Sequence, residues 1–166
     1  LAQVLGLVAG QVELCIEVKG GEEQQPGITA AVVAEVVARR AASWCWIGSF
    51  HDSVLEEAFA LSTEQAPDLR LVKIAVGQVT GLPLAVDHGP RPGWLPFGQP
   101  VTAVSVNHRL LTGPEADRLH RQDLQVWAWT VNQADDIARA LERGADAVVT
   151  DTPPLAHEVI ATRRAR

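Results

Sequence analysis

The sequence predicts a parallel α/β fold, and three observations carry that expectation. Short apolar runs alternate along the chain with stretches of helical spacing, the pattern of repeated strand–helix units. The runs are near-continuously apolar, as strands buried on both faces are, and lack the alternation of half-wet antiparallel strands. Leu124–Pro154 holds a complete strand–helix–strand–turn unit, which implies a parallel pair joined by a right-handed crossover.

The elements follow in order. Leu1–Ala9 reads as the end of an amphipathic helix stopped by Gly10, and Val12–Val18 as the first strand. Gly20–Gly27 is a polar loop. Ile28–Arg40 carries Ile28, Val32, Val33, Val36 and Val37 at helical spacing, so period and length override the β-branched content. Ser43–Ser49 is the second strand. Asp52 or Ser53 is expected to cap the next helix, whose apolar face is Val54, Leu55, Ala58, Phe59 and Leu61, and Pro67 closes it. Leu71–Val76 is the third strand.

Gly77–Pro100 holds five prolines and five glycines and shows no sustained period. A stretch of that length without a period is functional or disordered as a rule. Val101–Val106 is the fourth strand, Pro114–Arg121 a short helix and Leu124–Thr130 the fifth strand. Asn132 is expected to cap the following helix, which turns Ile137, Ala140 and Leu141 inward and leaves Asp135, Asp136, Arg139, Glu142 and Arg143 wet. Gly144 falls where a helix needs a left-handed residue past its end. Ala145–Val149 is the sixth strand and Leu155–Arg163 the last helix.

Composition narrows the function classes. At 166 residues the chain is most simply one domain, 1–166, long enough to bury a sizeable core. Its 47% apolar and 20% charged residues are those of a globular protein. A net charge of -6 argues against nucleic acid as a partner, because no basic stripe meets phosphates. Arg163, Arg164 and Arg166 form the one basic cluster and read as a solvated tail. No apolar run is long enough for stable membrane insertion, and no signal peptide is evident. The chain starts at Leu1 and contains no Met, as a trimmed piece would; the compartment stays open, with the cytoplasm favoured. Cys15 and Cys45 fall in neighbouring predicted strands and read as buried thiols, and no CxxC spacing points to zinc.

Four tetrapeptide-scale signals stand at successive strand ends: Ile16-Glu17-Val18-Lys19, Ser49-Phe50, Trp129-Thr130-Val131-Asn132 and Thr150-Asp151-Thr152-Pro153. Together, and in this order, they make the chain resemble the glycerophosphodiester phosphodiesterase family, a family of lipid metabolism. The resemblance implies a (β/α)8 barrel of the TIM type with its site at the C-terminal strand ends. Only about six strand–helix units are found here. The resemblance implies that the family's first two strands, with a His-Arg pair, a Glu-x-Asp pair and a later His, are absent. It covers the C-terminal two-thirds or so of the family domain.

Glu17 and Lys19 are two apart, so they share one face of a strand. A carboxylate beside an ammonium suits a divalent cation and a phosphate oxygen; the same pair is equally an exposed ion pair worth little. The resemblance favours the first and implies Glu17 as a metal ligand for Mg²⁺ or Ca²⁺ and Lys19 as a catalytic phosphate contact. It also implies that Trp129, which shares strand parity with Trp127, lines the mouth as a substrate contact, with Phe50 as an apolar wall for the glycerol or alcohol moiety. The alternative for Trp129 is a core aromatic. Trp94 is a candidate lid or a loop anchor.

The histidines carry less. Ser49, His51 and Asp52 invite a triad reading, but adjacent residues point apart and Asp52 serves better at a helix start. His88 reads as a loop residue, His108 as a polar strand end, and His120 and His157 as helix surface. Asp151 reads as a helix cap. Gly77, Gly81 and Gly89 make no phosphate-cradling pattern.

The resemblance therefore implies metal-dependent hydrolysis of a glycerophosphodiester to glycerol 3-phosphate and an alcohol in the parent protein, with this chain alone expected to be inactive or nearly so. The rival is a non-catalytic partial barrel serving as a binding or assembly module. A third reading is another barrel phosphodiesterase of phospholipase type, with Gly77–Pro100 recognising lipid. An open six-stranded sheet exposes two backbone edges, so closure by a missing N-terminal segment, another chain or a homo-oligomer is expected.

Overall fold

The computed structural model describes residues 1–20, 26–75, 94–95 and 99–164, with the side chains of 94–95, 99–100 and 164 excepted. Strand and helix alternate as the spacing predicts, and the chain clusters into two compact units. The first is Leu1–Ile74 with Phe97–Thr102, the second Ala75–Pro96 with Ala103–Arg166.

The first unit runs α1 (Ala2–Val8), β1 (Leu14–Glu17), α2 (Ile28–Ala38), a 3-10 turn (Ala42–Trp44), β2 (Cys45–Ser49), α3 (Asp52–Ser62) and β3 (Arg70–Ile74). β1 pairs parallel with β2, setting Leu14 beside Cys45 and Glu17 beside Gly48. β2 pairs parallel with β3, setting Trp46 beside Arg70 and Ser49 beside Lys73. Every residue of β2 is buried, which accounts for its unbroken apolar run. α2 buries Thr29, Val32, Val33 and Val36, so one apolar stripe outweighs the modest helix cost of β-branching. α2 and α3 pack together, and α3 lays Val54, Leu55 and Ala58 on β2 and β3.

Two sequence expectations shift here. α1 stops one residue before Gly10: Ala9 takes the left-handed conformation (φ 45°), and Gly10 follows at φ 76°. Cys15 is exposed rather than buried, while Cys45 is buried. The register places Cys15 beside Trp46 and Cys45 beside Leu14, on opposite faces of the sheet, and both are free thiols.

The second unit runs β6 (Ala103–Asn107), α4 (Gly113–His120), β7 (Gln125–Trp129), α5 (Ala134–Glu142), β8 (Ala147–Val148) and α6 (Pro153–Arg164). β6 pairs parallel with β7 and β7 with β8, so Asn107 lies beside Trp129 and Trp127 beside Ala147. Val104, Val106, Val126 and Ala128 are buried, as are Ile137 and Ala140 of α5. α4 begins with a capping box: the Glu115 carboxylate accepts from the Thr112 amide (3.1 Å) and hydroxyl (2.7 Å). Gly144 takes φ 92° after α5, as predicted, and a Cβ there would lie 2.9 Å from the Ala116 Cβ.

Within Gly77–Pro100, two short strands are described, β4 (Trp94–Leu95) and β5 (Gln99–Pro100). The rest of that stretch lies outside the described residues, as do His88, the Trp94 side chain and the lipid-recognition role assigned to the loop. No described helix is long and apolar enough to cross a membrane.

Candidate functional site

In the first unit, the end of β1 is held by the residue between the two candidates. Val18 is buried; its amide donates to the Gly48 carbonyl at 2.9 Å and its carbonyl accepts the Ser49 hydroxyl at 2.8 Å. With Val18 turned inward, its neighbours Glu17 and Lys19 take the other face, and both are exposed. Glu17 stands beside Gly48. A Cβ on Gly48 would lie 3.4 Å from both the Cys15 sulfur and Ile74 Cδ1, so these residues share the face.

Cys15 senses that environment. Although the residue as a whole is exposed, its sulfur lies over Gly48, and desolvation pushes the thiol up to about 11. The Glu17 carboxylate adds to the rise, followed by Cys45. A thiol held protonated at neutral pH is not a nucleophile.

Phe50 is half-buried just past β2. Its carbonyl accepts a 2.9 Å hydrogen bond from Lys73 Nζ, which also pairs with the Asp52 carboxylate. Asp52 therefore does not cap α3: His51 is the capping position, it makes no side-chain cap bond, and Asp52 sits in the first turn. There its charge still complements the helix dipole. The triad reading fails on the same contacts. Ser49 is buried and donates to Val18, His51 is exposed, and Asp52 belongs to Lys73.

At the opposite end of these strands, Glu13 accepts from the Trp46 indole (3.0 Å) and the Arg70 guanidinium (2.7 Å), and Arg70 lies 4.0 Å from the Trp46 ring centroid. The Arg70 hydrogen bond, then that of Trp46, holds the Glu13 carboxyl below its ordinary range. This cluster ties β1, β2 and β3 together away from the candidate end.

In the second unit, Trp129 ends β7 half-buried. Its indole N–H donates to the Ser105 carbonyl at 3.1 Å, and its own carbonyl accepts the His108 amide at 3.0 Å. Trp127, on the same face, donates to Gln125 at 3.1 Å. Asn132 does not cap α5; Gln133 is the capping position, and Asn132 bonds to Thr150 and Asp151 instead. His120 pairs with Asp146 at 2.9 Å, a partner the sequence did not reveal, and His157 is exposed. The structure thus sets Glu17, Lys19 and Phe50 at or just past the ends of paired strands in one unit, and Trp129 at a strand end in the other.

The described residues contain no group of three His, Cys, Asp or Glu side chains that could hold a metal ion. Mg²⁺ and Ca²⁺ need about six or more oxygen ligands, so Glu17 alone does not make a site for either. The residues found by sequence are strand-end motif residues; Lys73 and the Asn132–Asp151 contact were missed because their partners lie far along the chain.

Comparison with known proteins identifies the family and the fold. The model for the glycerophosphoryl diester phosphodiesterase family matches residues 25–155, a span that begins after Glu17 and Lys19. No curated protein matches the chain. Among solved structures, a glycerophosphoryl diester phosphodiesterase described for Silicibacter pomeroyi superimposes with a TM-score of 0.77 at 24% identity, covering 99% of this chain and 56% of the other. A glycerophosphodiester phosphodiesterase of Parabacteroides distasonis gives 0.74 at 16% identity, with 98% and 64% covered. An Oleispira antarctica phosphodiesterase, in complex with the product sn-glycerol-3-phosphate, gives 0.69 at 16% identity, with 97% and 60% covered. The fold is thus that of an incomplete (β/α) barrel of the TIM type, and the chain spans less than two-thirds of the length of these neighbours.

Proposed function

The chain belongs to the glycerophosphoryl diester phosphodiesterase family, and on that premise we propose that it forms part of an enzyme hydrolysing glycerophosphodiesters to glycerol 3-phosphate and an alcohol. The family match across residues 25–155 carries this reading. The product bound to the Oleispira antarctica neighbour supports the same substrate class.

Roles follow from the chemistry of the strand ends. The exposed Lys19 ammonium is suited to neutralise a non-bridging phosphate oxygen as charge grows in the transition state. Phe50 is proposed to offer apolar surface to the alcohol moiety, and Trp129 is the equivalent candidate within the second unit. The family generally uses a divalent metal; Glu17 is proposed as one ligand of Mg²⁺ or Ca²⁺. Closure of the barrel by a further segment or a second copy, with turnover low without it, belongs to the same proposal.

Hydrolysis of glycerophosphocholine by the purified parent protein, with its barrel closed, with and without EDTA, tests the reading. Chelator-sensitive release of choline, cut about a hundredfold by Lys19→Ala, is the expected result. No turnover at any Mg²⁺ or Ca²⁺ level, with no binding of glycerol 3-phosphate, would sink it and leave a partial barrel acting as a binding or assembly module.

A further inference from the structure

Two of the strand-end motifs meet through one side chain. Asn132 Nδ2 donates to Asp151 Oδ2 at 2.8 Å, while Asn132 Oδ1 accepts from the Asp151 amide at 2.8 Å and the Thr150 hydroxyl at 3.1 Å. Thr150 Oγ1 accepts the Thr152 amide at 3.0 Å and lies 3.0 Å from Thr152 Oγ1. A carboxamide donates and accepts from one planar group, which this arrangement requires. A carboxylate at position 132 would instead face the Asp151 carboxylate with like charge.

β8 is two residues long. Bonds joining the β7 and β8 segments beside it include Asp146 amide to Val126 carbonyl (2.7 Å), Val126 amide to Asp146 Oδ2 (2.7 Å), Val149 amide to Ala128 carbonyl (2.8 Å) and Val131 amide to Val149 carbonyl (2.9 Å). The three Asn132 bonds add to this short ladder in setting where the two strands exit. Trp129 stands on that exit, its indole donor and its carbonyl both engaged within the same unit.

We propose that Asn132 is a positioning residue: it locks the exits of β7 and β8 together and thereby holds the Trp129 indole in place for the alcohol moiety of a phosphodiester. The substrate half of this proposal rests on the function proposed above; the lock itself rests on the hydrogen bonds alone.

NMR on the full chain tests it, reading the Trp129 indole N–H resonance and hydrogen exchange at the residue 151 amide. Asn132→Asp is expected to speed that exchange about tenfold or more and to shift the indole resonance. The double exchange Asn132→Asp with Asp151→Asn puts a donor opposite an acceptor again and is expected to restore both. An indole left unmoved by Asn132→Asp while the amide exchanges faster overturns the proposal, because the lock then stops short of Trp129. If Asn132→Asp does not fold, the double variant decides: wild-type indole and amide behaviour supports the lock, and an unfolded or unrestored protein overturns it. Titration with glycerol 3-phosphate separates the two readings. A wild-type indole that ignores the ligand overturns the substrate half, and equal affinity in wild type and Asn132→Asp overturns the positioning role.

Discussion

Lys73 Nζ donates to the Phe50 carbonyl oxygen at 2.9 Å, fixing the backbone just beyond β2 from the neighbouring strand. Its second partner, Asp52, brings a carboxylate to a lysine whose side chain is only 14% exposed. Lys73→Met keeps the apolar stem but leaves the Phe50 carbonyl and the Asp52 charge without their donor. A loss of about 1–3 kcal/mol in urea unfolding is expected. A loss near zero would show that solvent replaces the ammonium at both partners.

Glu13 gives stability a dependence on acid. Its folded carboxyl titrates below its ordinary value of 4.5, chiefly because of Arg70 and then Trp46. A depressed acid stabilises the fold fully above the unfolded value and loses that contribution as pH falls through the folded one. Glu13→Gln should therefore lower Tm at neutral pH, by a modest amount because the side chain is 60% exposed. The two proteins should converge as the pH drops below 4.5. A constant gap across that range would assign the effect to packing of the Arg70–Trp46 stack.

Gly144 is required twice over, by its φ of 92° and by the Ala116 Cβ lying 2.9 Å from where its own would be. Gly144→Ala is expected to cost about 2–4 kcal/mol in thermal or chemical unfolding. Adding Ala116→Gly should recover only the steric share, since the left-handed backbone remains. Full recovery would mean that conformation contributes nothing.

Cys15 should react slowly with alkylating reagents near neutrality, its thiol standing at about 11. In a Cys45→Ser background, its labelling rate should climb by about tenfold per pH unit between about pH 8 and about pH 10. Glu17→Gln removes one cause of the rise and should speed labelling at a given pH. Rates that level off near neutrality would contradict the desolvated setting of the sulfur.

Which segments form strands and which form helices was legible in the residues alone. Val32, Val33 and Val36 bury on one side of α2 because a stripe at helical spacing is a property of the segment, whatever it packs against. The unbroken run through Trp46 and Ile47 likewise announced a strand buried on both faces. Even the turn at Gly144 was legible, since a left-handed residue past a helix end is a local demand.

The partners of the polar side chains are set by the tertiary fold. Asn132 and Asp52 each stand near a helix start, where a nearby amide would satisfy them, yet their partners are Asp151 and Lys73, 19 and 21 residues away. A cap and a long-range bond are each worth about 1 kcal/mol, so local sequence leaves that choice nearly even. The parallel register breaks the tie, bringing Ser49 beside Lys73 and the exits of β7 and β8 side by side. Hydrophobic periodicity is read within a segment; hydrogen-bond partnership is settled between segments, by the pairing that periodicity makes possible.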